Sequence, residues 1–398
     1  MRLTIMLTIY AAVFIVGLAI LYGPLKRAAY PEGKHGAKVW IPMVIFIIAI
    51  LFPVFGAITS DGPVCWFFQK WGNIFLGYLM YFLGMLLLVR IGALVYGVCY
   101  RSRHHDKWKP QRKTTRCMLT ALLIITVGLN VGGSFVSHDV KVTNYEISKE
   151  VLGQTEPLRI VLIGDLHIGV NSSLKLYEDM VDRVNEQDAD LIVVAGDIVT
   201  SSFNAMKKPE AYSSVISKMN AKYGKYAVYG NHDVDEPLLG GFTFWDKTRA
   251  LRNPAMPGFI KDCGWTILND EVVRLPELND LVIAGRRDEA KPGEGVMERM
   301  TLDELLKDVD TEEPLLLLEH EPYELDTMGE KGVDLSVSGH THDGQIFPGN
   351  VFVRIKDPQS YGIKTWGKAI QVVTSGVGFY GPPIRVGTIS EIVVIDLV

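Results

Sequence analysis

Cysteine is scarce in this 398-residue chain, with four in all: Cys65, Cys99, Cys117 and Cys263. Three lie in or beside apolar segments. Cys263 stands alone in the C-terminal portion, so no disulfide can close within that portion. A Cys65–Cys263 bridge would need both residues to face an oxidising compartment, and spacing alone does not establish connectivity. Acidic residues are nearly missing from the N-terminal third. Residues 1–145 hold 15 Lys and Arg against 4 Asp and Glu, whereas the remainder holds 25 against 41. An acidic C-terminal portion repels polyanions, so nucleic acid is not an expected partner. No internal repeat or low-complexity tract is visible.

What is abundant is apolar: 48% of residues are hydrophobic and the mean hydropathy is +0.18, high for a purely soluble protein. Four long apolar stretches open the chain, at about 3–22, 39–58, 74–100 and 118–136. Each reaches the ~20 residues that a helix needs to cross a ~30 Å hydrocarbon core. The first is read as a retained span, not a cleaved signal peptide. Its apolar run is long, its only early charge is Arg2, and no small-x-small site precedes Pro24. The first and third loops are basic (Lys26, Arg27, Lys34 and Lys38; then Arg101, Arg103, Lys107, Lys109, Arg112, Lys113 and Arg116). Basic loops stay in the cytoplasm. The sequence therefore predicts a multi-pass protein of the cytoplasmic membrane, in contact with membrane lipid, with its acidic portion extracytoplasmic. Arg90, inside the third stretch, reads either as a functional charge in a bundle interior or as a residue that snorkels or pairs.

Residues 1–140 thus form a membrane domain and 141–157 a connector, in which a mixed polar run at 140–148 has the look of an edge strand. From residue 158 the pattern changes to short apolar runs, each ending in a polar residue. They lead to Gly164-Asp165, Gly196-Asp197, Gly230-Asn231, Glu319-His320 and Gly339-His340. Such strands suit a sheet covered on both faces. Open α/β sheets place their sites at the C-terminal ends of strands. Residues 174–187 have helical spacing. Three closing segments, 351–355, 370–374 and 389–397, read as further strands. An α/β domain with two packed sheets fits this count.

All five histidines beyond residue 145 stand at or just past strand ends: His167, His232, His320, His340 and His342. In Asp165-x-His167 and His340-x-His342, residues two apart point the same way in an extended segment. Each pair can therefore reach one metal region. Carboxylate, amide oxygen and imidazole without thiolate suit Mn, Fe, Zn or Co more than Ca or a cysteine zinc site.

These motifs, Gly164-Asp165-Leu166-His167, Gly196-Asp197, Gly230-Asn231-His232-Asp233, His320 and Gly339-His340-Thr341-His342, resemble the calcineurin-like metallophosphoesterases in their usual order. The resemblance covers about residues 158–398 and leaves the membrane part outside. The run from His342 through Asp343-Gly344-Gln345, with the ending Gly376-Val377-Gly378, Pro383-Ile384-Arg385 and Glu391-Ile392, looks like the membrane-associated branch with a GHTHGGQ-type motif. It implies an α/β/β/α two-sheet sandwich and two divalent ions. Asp165, His167 and His342 would hold one ion, Asn231, His320 and His340 the other, and Asp197 would bridge them. His232 would assist the phosphoryl group or the leaving oxygen during attack by a metal-bridging hydroxide on a phosphomono- or phosphodiester. The substrate implied is a phosphoester, with a lipid-linked one suited to an outward-facing domain. Two other readings remain: a pyrophosphatase for nucleotide- or lipid-linked pyrophosphate, and a metal-bound sensor or scaffold without catalysis.

The chain departs from the family pattern at Thr200, where many relatives carry an Asp that orients the catalytic histidine; Asp233 is a candidate substitute. Asp343 replaces a usual Gly and reads either as a residue behind the metal ligands or as solvent-facing. Arg286 and Arg287 are candidates for substrate phosphate, against the plainer reading of a surface salt bridge. Phe242, Phe244 and Trp245 suggest a lid, a membrane-dipping loop or core packing. Phe379-Tyr380 suggests a pocket wall or a rigid turn.

Overall fold

The computed structural model describes residues 2–31, 34, 36–59, 62–104, 108–200, 203–236, 238–243, 251–310 and 312–398. It opens with α1 (Arg2–Ala29), α2 (Trp40–Ile58), α3 (Pro63–His104) and α4 (Arg112–Ser137), all long and apolar enough to cross a membrane. The third helix starts well before the expected residue 74. Gln69 and Lys70 broke the apolar run in the sequence, but both are accommodated in the helix. Gln69 Nε2 donates to Gly56 O at 3.3 Å, and the Lys70 ammonium sits 4.9 Å from the Trp66 ring centroid. At 1.5 Å per residue its 42 residues reach about 63 Å, twice a ~30 Å hydrocarbon core. Arg90 lies on an exposed face of α3, which removes the bundle-interior reading.

The chain divides into two compact units, residues 1–132 with 238–244, and residues 133–237 with 245–398. In the first, Phe14, Leu21, Met43, Phe46, Leu76 and Leu86 form the apolar core, with Phe242 packed against it. The last carbonyls of α1 have no helical partner. Arg112 and Arg116 supply one, donating to Ala28 O and Ala29 O at 2.8–3.1 Å. Phe244 and Trp245 lie outside the described residues.

The second unit holds β1 (Val140–Ile147), β2 (Leu158–Ile163), α5 (Leu174–Asn185), β3 (Leu191–Ala195), α6 (Pro209–Ile216), β4 (Lys225–Val228), α7 (Met256–Asp262), β5 (Thr266–Ile267), β6 (Glu271–Leu275), β7 (Leu281–Gly285), α8 (Leu302–Leu305), β8 (Leu315–Leu318), β9 (Leu335–Ser338), α9 (Gly349–Lys356), β10 (Gly362–Trp366), β11 (Ala369–Val373) and β12 (Ser390–Leu397). One sheet has the order β1-β12-β2-β3-β4-β5 and the other β10-β11-β9-β8-β7-β6. The first part of the expected connector, residues 141–147, is therefore sheet: β1 runs parallel to β12 at the edge of the first sheet.

Alternation along the strands explains the layering. Ile160, Leu162, Val193, Val228, Ile283, Leu316, Leu318 and Val337 point between the sheets. Val161, Ile163, Ile192 and Val194 point outward under α5, α6 and α7. Val282, Ala284, Leu315 and Leu317 do the same beneath α8 on the other side. Helix α5 shows why it covers a face. Ser173 caps it by accepting from Leu176 N, and Leu176, Tyr177, Met180, Val181 and Val184 recur at helical spacing on its buried side. Each such aliphatic side chain contributes roughly 1.5–3 kcal/mol when fully buried. The result is the expected α/β/β/α sandwich. One expected strand is wrong: residues 351–355 are helical, inside α9.

Candidate metal centre

Five strands of this unit end at the same edge. Asp165 follows β2, Asp197 follows β3, Asn231 follows β4, His320 follows β8 and His340 follows β9, each within three residues. The turns that carry them are strained. Asp165, His167, Asp197, His340 and His342 all have φ between 47° and 78°, where non-glycine residues are rare. Such positions cost on the order of 1–3 kcal/mol each and cluster at functional sites. Gly230 has no room for a side chain: a Cβ there would lie 2.2 Å from Asp197 Oδ1.

Two groups of ligand atoms result. Asp165, His167 and His342 form one, with His167 Nε2 and His342 Nε2 2.9 Å apart and His342 Nε2 3.7 Å from Asp165 Oδ1. In the other, His320 Nε2 lies 2.9 Å from Asn231 Oδ1, 3.2 Å from Asp197 Oδ2 and 3.2 Å from His340 Nδ1. The Asp197 Oδ2 atom also stands 3.5 Å from His167 Nε2, which places this carboxylate between the groups. Ligand bonds of about 2.1 Å at right angles would put neighbouring donors about 3 Å apart.

The donor set fits cations on chemical grounds. His320 Nδ1 lies 2.8 Å from Ala195 O and keeps its proton there, which turns Nε2 toward Asn231 Oδ1 and Asp197 Oδ2, two acceptors that either a proton or a cation on Nε2 would satisfy. Burial alone would lower the His320 pKa, yet the Asp197 carboxylate 3.2 Å away holds it well above 6.5. Burial pushes the Asp165 carboxyl up to about 7, against the pull of His320. It also lowers the His167 imidazole to about 4, leaving a neutral ligand at pH 7. Asp197 Oδ2 and His167 Nδ1 are buried without a hydrogen-bond partner. A divalent ion in each group would relieve this surplus of lone pairs.

His232 stands apart from both groups. Its backbone N–H donates to Asp197 Oδ1 at 2.8 Å, and its ring packs on Tyr380, centroids 4.3 Å apart. Burial holds the ring well below 6.5. Asp233 does not take up the role open at Thr200: its carboxylate accepts from Val199 N at 2.8 Å and Gly230 N at 2.7 Å. Thr200 Oγ1 donates to His167 O. Asp343 does not face solvent; it is buried and grips Arg354 through two hydrogen bonds. Arg286 is buried and paired with Glu324 and Glu319, not at the surface. Arg287 is engaged by Asp270 and Glu294. With their charges matched, neither arginine is brought into the two ligand groups. All four cysteines are free.

Two residues without an assigned role in the sequence emerge behind the ligands. The Arg385 guanidinium is fully buried and donates to the carbonyls of Ser375, Gly376, Gly378 and Ile389 at 2.6–2.9 Å, with one nitrogen 3.3 Å from His342 Nδ1. Burial lowers its pKa to about 10, opposed by Asp165 and Glu391, so it stays charged at neutral pH. The loop it grips backs directly onto Asp165. Gly376, at φ 76°, would bring a Cβ within 2.5 Å of Asp165 Cβ. Gln345 Nε2 donates to the carbonyls of Tyr380, Pro382 and Ile384, and Tyr380 N returns a bond to its Oε1.

The family model for calcineurin-like phosphoesterases matches residues 158–344, the stretch that carries every one of these ligands. An uncharacterised metallophosphoesterase of Aquifex aeolicus is 32% identical over 281 residues, covering 69% of this chain and 98% of that protein. One from Helicobacter pylori (strain J99) is 28% identical over 249 residues, 60% of each chain. A zebrafish (Danio rerio) transmembrane protein with a metallophosphoesterase domain is 30% identical over 68% of this chain and 60% of its own. The chain thus spans about three-fifths of the length of the last two. Likeness over nearly the whole of the Aquifex protein, together with ligand turns in family order, makes this chain a member of the calcineurin-like phosphoesterase family.

Proposed function

We propose that the protein is a membrane-anchored phosphoesterase that hydrolyses a membrane-resident phosphoester with two divalent ions. The observation that carries this is the approach of Asp197 Oδ2 to both His167 and His320, which makes one carboxylate common to two ligand groups. Asp165, His167 and His342 would hold one ion, Asn231, His320 and His340 the other, and Asp197 would serve both. When bound, a pair of such ions activates a water and offsets charge on the phosphoryl oxygens. The protein's own residues do the rest. Asp165 and Asp197 offset only two of four metal charges, so the site stays net positive and attracts an anionic phosphoester. His232, neutral at pH 7, faces the phosphoryl group or leaving oxygen. Tyr380 packs on that ring and limits its swing. The extracytoplasmic placement inferred from the basic loops favours envelope phosphoesters over cytoplasmic nucleotides.

The test is turnover of an aryl phosphodiester by the purified full-length protein. His232→Ala should lower kcat by roughly 10²–10⁴-fold, the usual worth of a proton-transfer residue, while metal content stays at the wild-type level. Asp197→Ala should lose both metal and turnover. Full activity in either variant contradicts the assignment.

A further inference from the structure

Helix α9 presents an apolar face that nothing in the two-sheet unit covers. Phe347 is 52% exposed, Val351 45%, Phe352 67% and Ile355 77%. Positions 351, 352 and 355 share one side of a helix. The opposite side is anchored: Asn350 is buried and donates to Gly387 O at 3.2 Å, and Arg354 is pinned by Asp343. Among the described residues of the same unit, the other exposed large apolar residues are Phe135 and Val136, at the end of α4, and Leu251, Met297, Met300, Tyr323, Ile363 and Val398, which stand outside any helix. Lys356 closes the helix and is exposed, so its ammonium can reach headgroup phosphates while the apolar face sinks below.

The position of this face in its own unit identifies what would cover it. Phe347 N donates to Val386 O at 2.9 Å. On the far side of that segment, Arg385 N donates to Gly133 O at 3.0 Å and Ser137 Oγ to Pro383 O at 3.2 Å, both from the last turns of α4. Phe347 is therefore two chain spacings, roughly 10 Å, from the end of an apolar helix of membrane-crossing length.

We propose that the face formed by Phe347, Val351, Phe352 and Ile355 is a membrane-docking surface, and that its occupant is the lipid bilayer holding the chain's own apolar helices. This deepens the phosphoesterase reading and rests on it for the substrate. Gln345, two residues before Phe347, ties down the 380–384 loop, and Tyr380 of that loop covers His232. Docking of α9 brings the bilayer surface to the loop that walls the candidate site, where a lipid-linked phosphoester presents its headgroup.

The experiment places a nitroxide label at Phe352→Cys, Ile355→Cys and, as an exposed control, Lys307→Cys, in full-length protein lacking the exposed Cys99 and Cys117. The protein is held in nanodiscs of phosphatidylcholine and phosphatidylglycerol. Relaxation by oxygen, which concentrates in lipid, should exceed relaxation by a water-soluble nickel chelate at 352 and 355, with the reverse at 307. A chelate-dominated signal at both helix positions overturns the proposal. So does exclusion of both reagents, which would mean a protein partner, or spin–spin broadening that vanishes on dilution with unlabelled chain, which would mean a second copy. Phe352→Glu with Ile355→Glu should reduce turnover of a phosphoester in the bilayer at least tenfold and leave a soluble aryl phosphodiester unchanged; equal turnover of both substrates counts against it. If wild type hydrolyses no phosphoester while the label depths hold, the functional reading alone fails.

Discussion

At the scale of single residues, the candidate ligands were legible because each stands where a short apolar run stops. An Asp, Asn or His at that point has no reason to be there for packing alone. Arg385 was not legible. An arginine in a Pro/Gly-rich segment looks like any surface cation, and its partners are carbonyls of Ser375, Gly376 and Gly378, seven to ten residues away along a loop of no regular period. Asp233, Asp343, Arg286 and Arg287 could not be assigned from the sequence for a related reason: Val199, Arg354, Glu324 and Asp270 are partners that only the fold supplies. Residues that orient metal ligands typically change metal affinity by about 10–100-fold. Arg385→Met should weaken binding by that much at the Asp165, His167 and His342 group, and Arg385→Lys should not restore it, because a single ammonium cannot serve the carbonyls that the planar fork reaches. Isothermal titration with Mn²⁺ measures this, and unchanged affinity for both ions would contradict the role.

At the scale of elements, the strands that carry ligands were readable from apolar runs bounded by polar residues. The segment 351–355 was not. Val351, Phe352, Val353 and Ile355 make a short β-branched and aromatic run broken only by Arg354, which suits a buried strand as well as a helix. It folds as a helix because Asn350 and the Asp343–Arg354 pair fix its two ends on one side, which leaves the apolar residues facing outward. The polar run at 140–148 was weakly patterned, as an edge strand tends to be, and only pairing with β12 brings it into the sheet. The 380–384 loop gives an element-scale prediction. Gln345 makes four hydrogen bonds to it, each worth about 1 kcal/mol net. Gln345→Ala should free Tyr380 from the His232 ring and lower kcat at least tenfold with bound metal retained. Steady-state kinetics beside metal analysis checks this; an unchanged kcat means that the loop does not hold the ring.

At the scale of the molecule, the division into an apolar helical portion and an acidic α/β portion was visible in composition alone. The helix boundaries were not, because polar residues such as Gln69 find partners on a neighbouring helix. The side of the membrane follows from the basic loops and is tested by phosphatase and fluorescent reporters fused after Val398. An active phosphatase and a dark fluorophore are expected; the reverse would place the two-sheet unit in the cytoplasm. Metal removal has a second whole-molecule consequence. Ions that bind only the folded chain stabilise it by about 2.7 kcal/mol for each site saturated at a hundred times its Kd. Chelation should therefore lower the Tm of the protein in detergent, and added Mn²⁺ should restore it.

The central claim is that one buried carboxylate is shared by two divalent ions. The most direct measurement is the Mn²⁺ stoichiometry and EPR spectrum of the purified, metal-loaded full-length protein. Two ions per chain with an exchange-coupled spectrum, reduced to isolated-ion character in Asp197→Ala, is the expected result. One ion per chain in the wild type, or two with no coupling, would contradict the account.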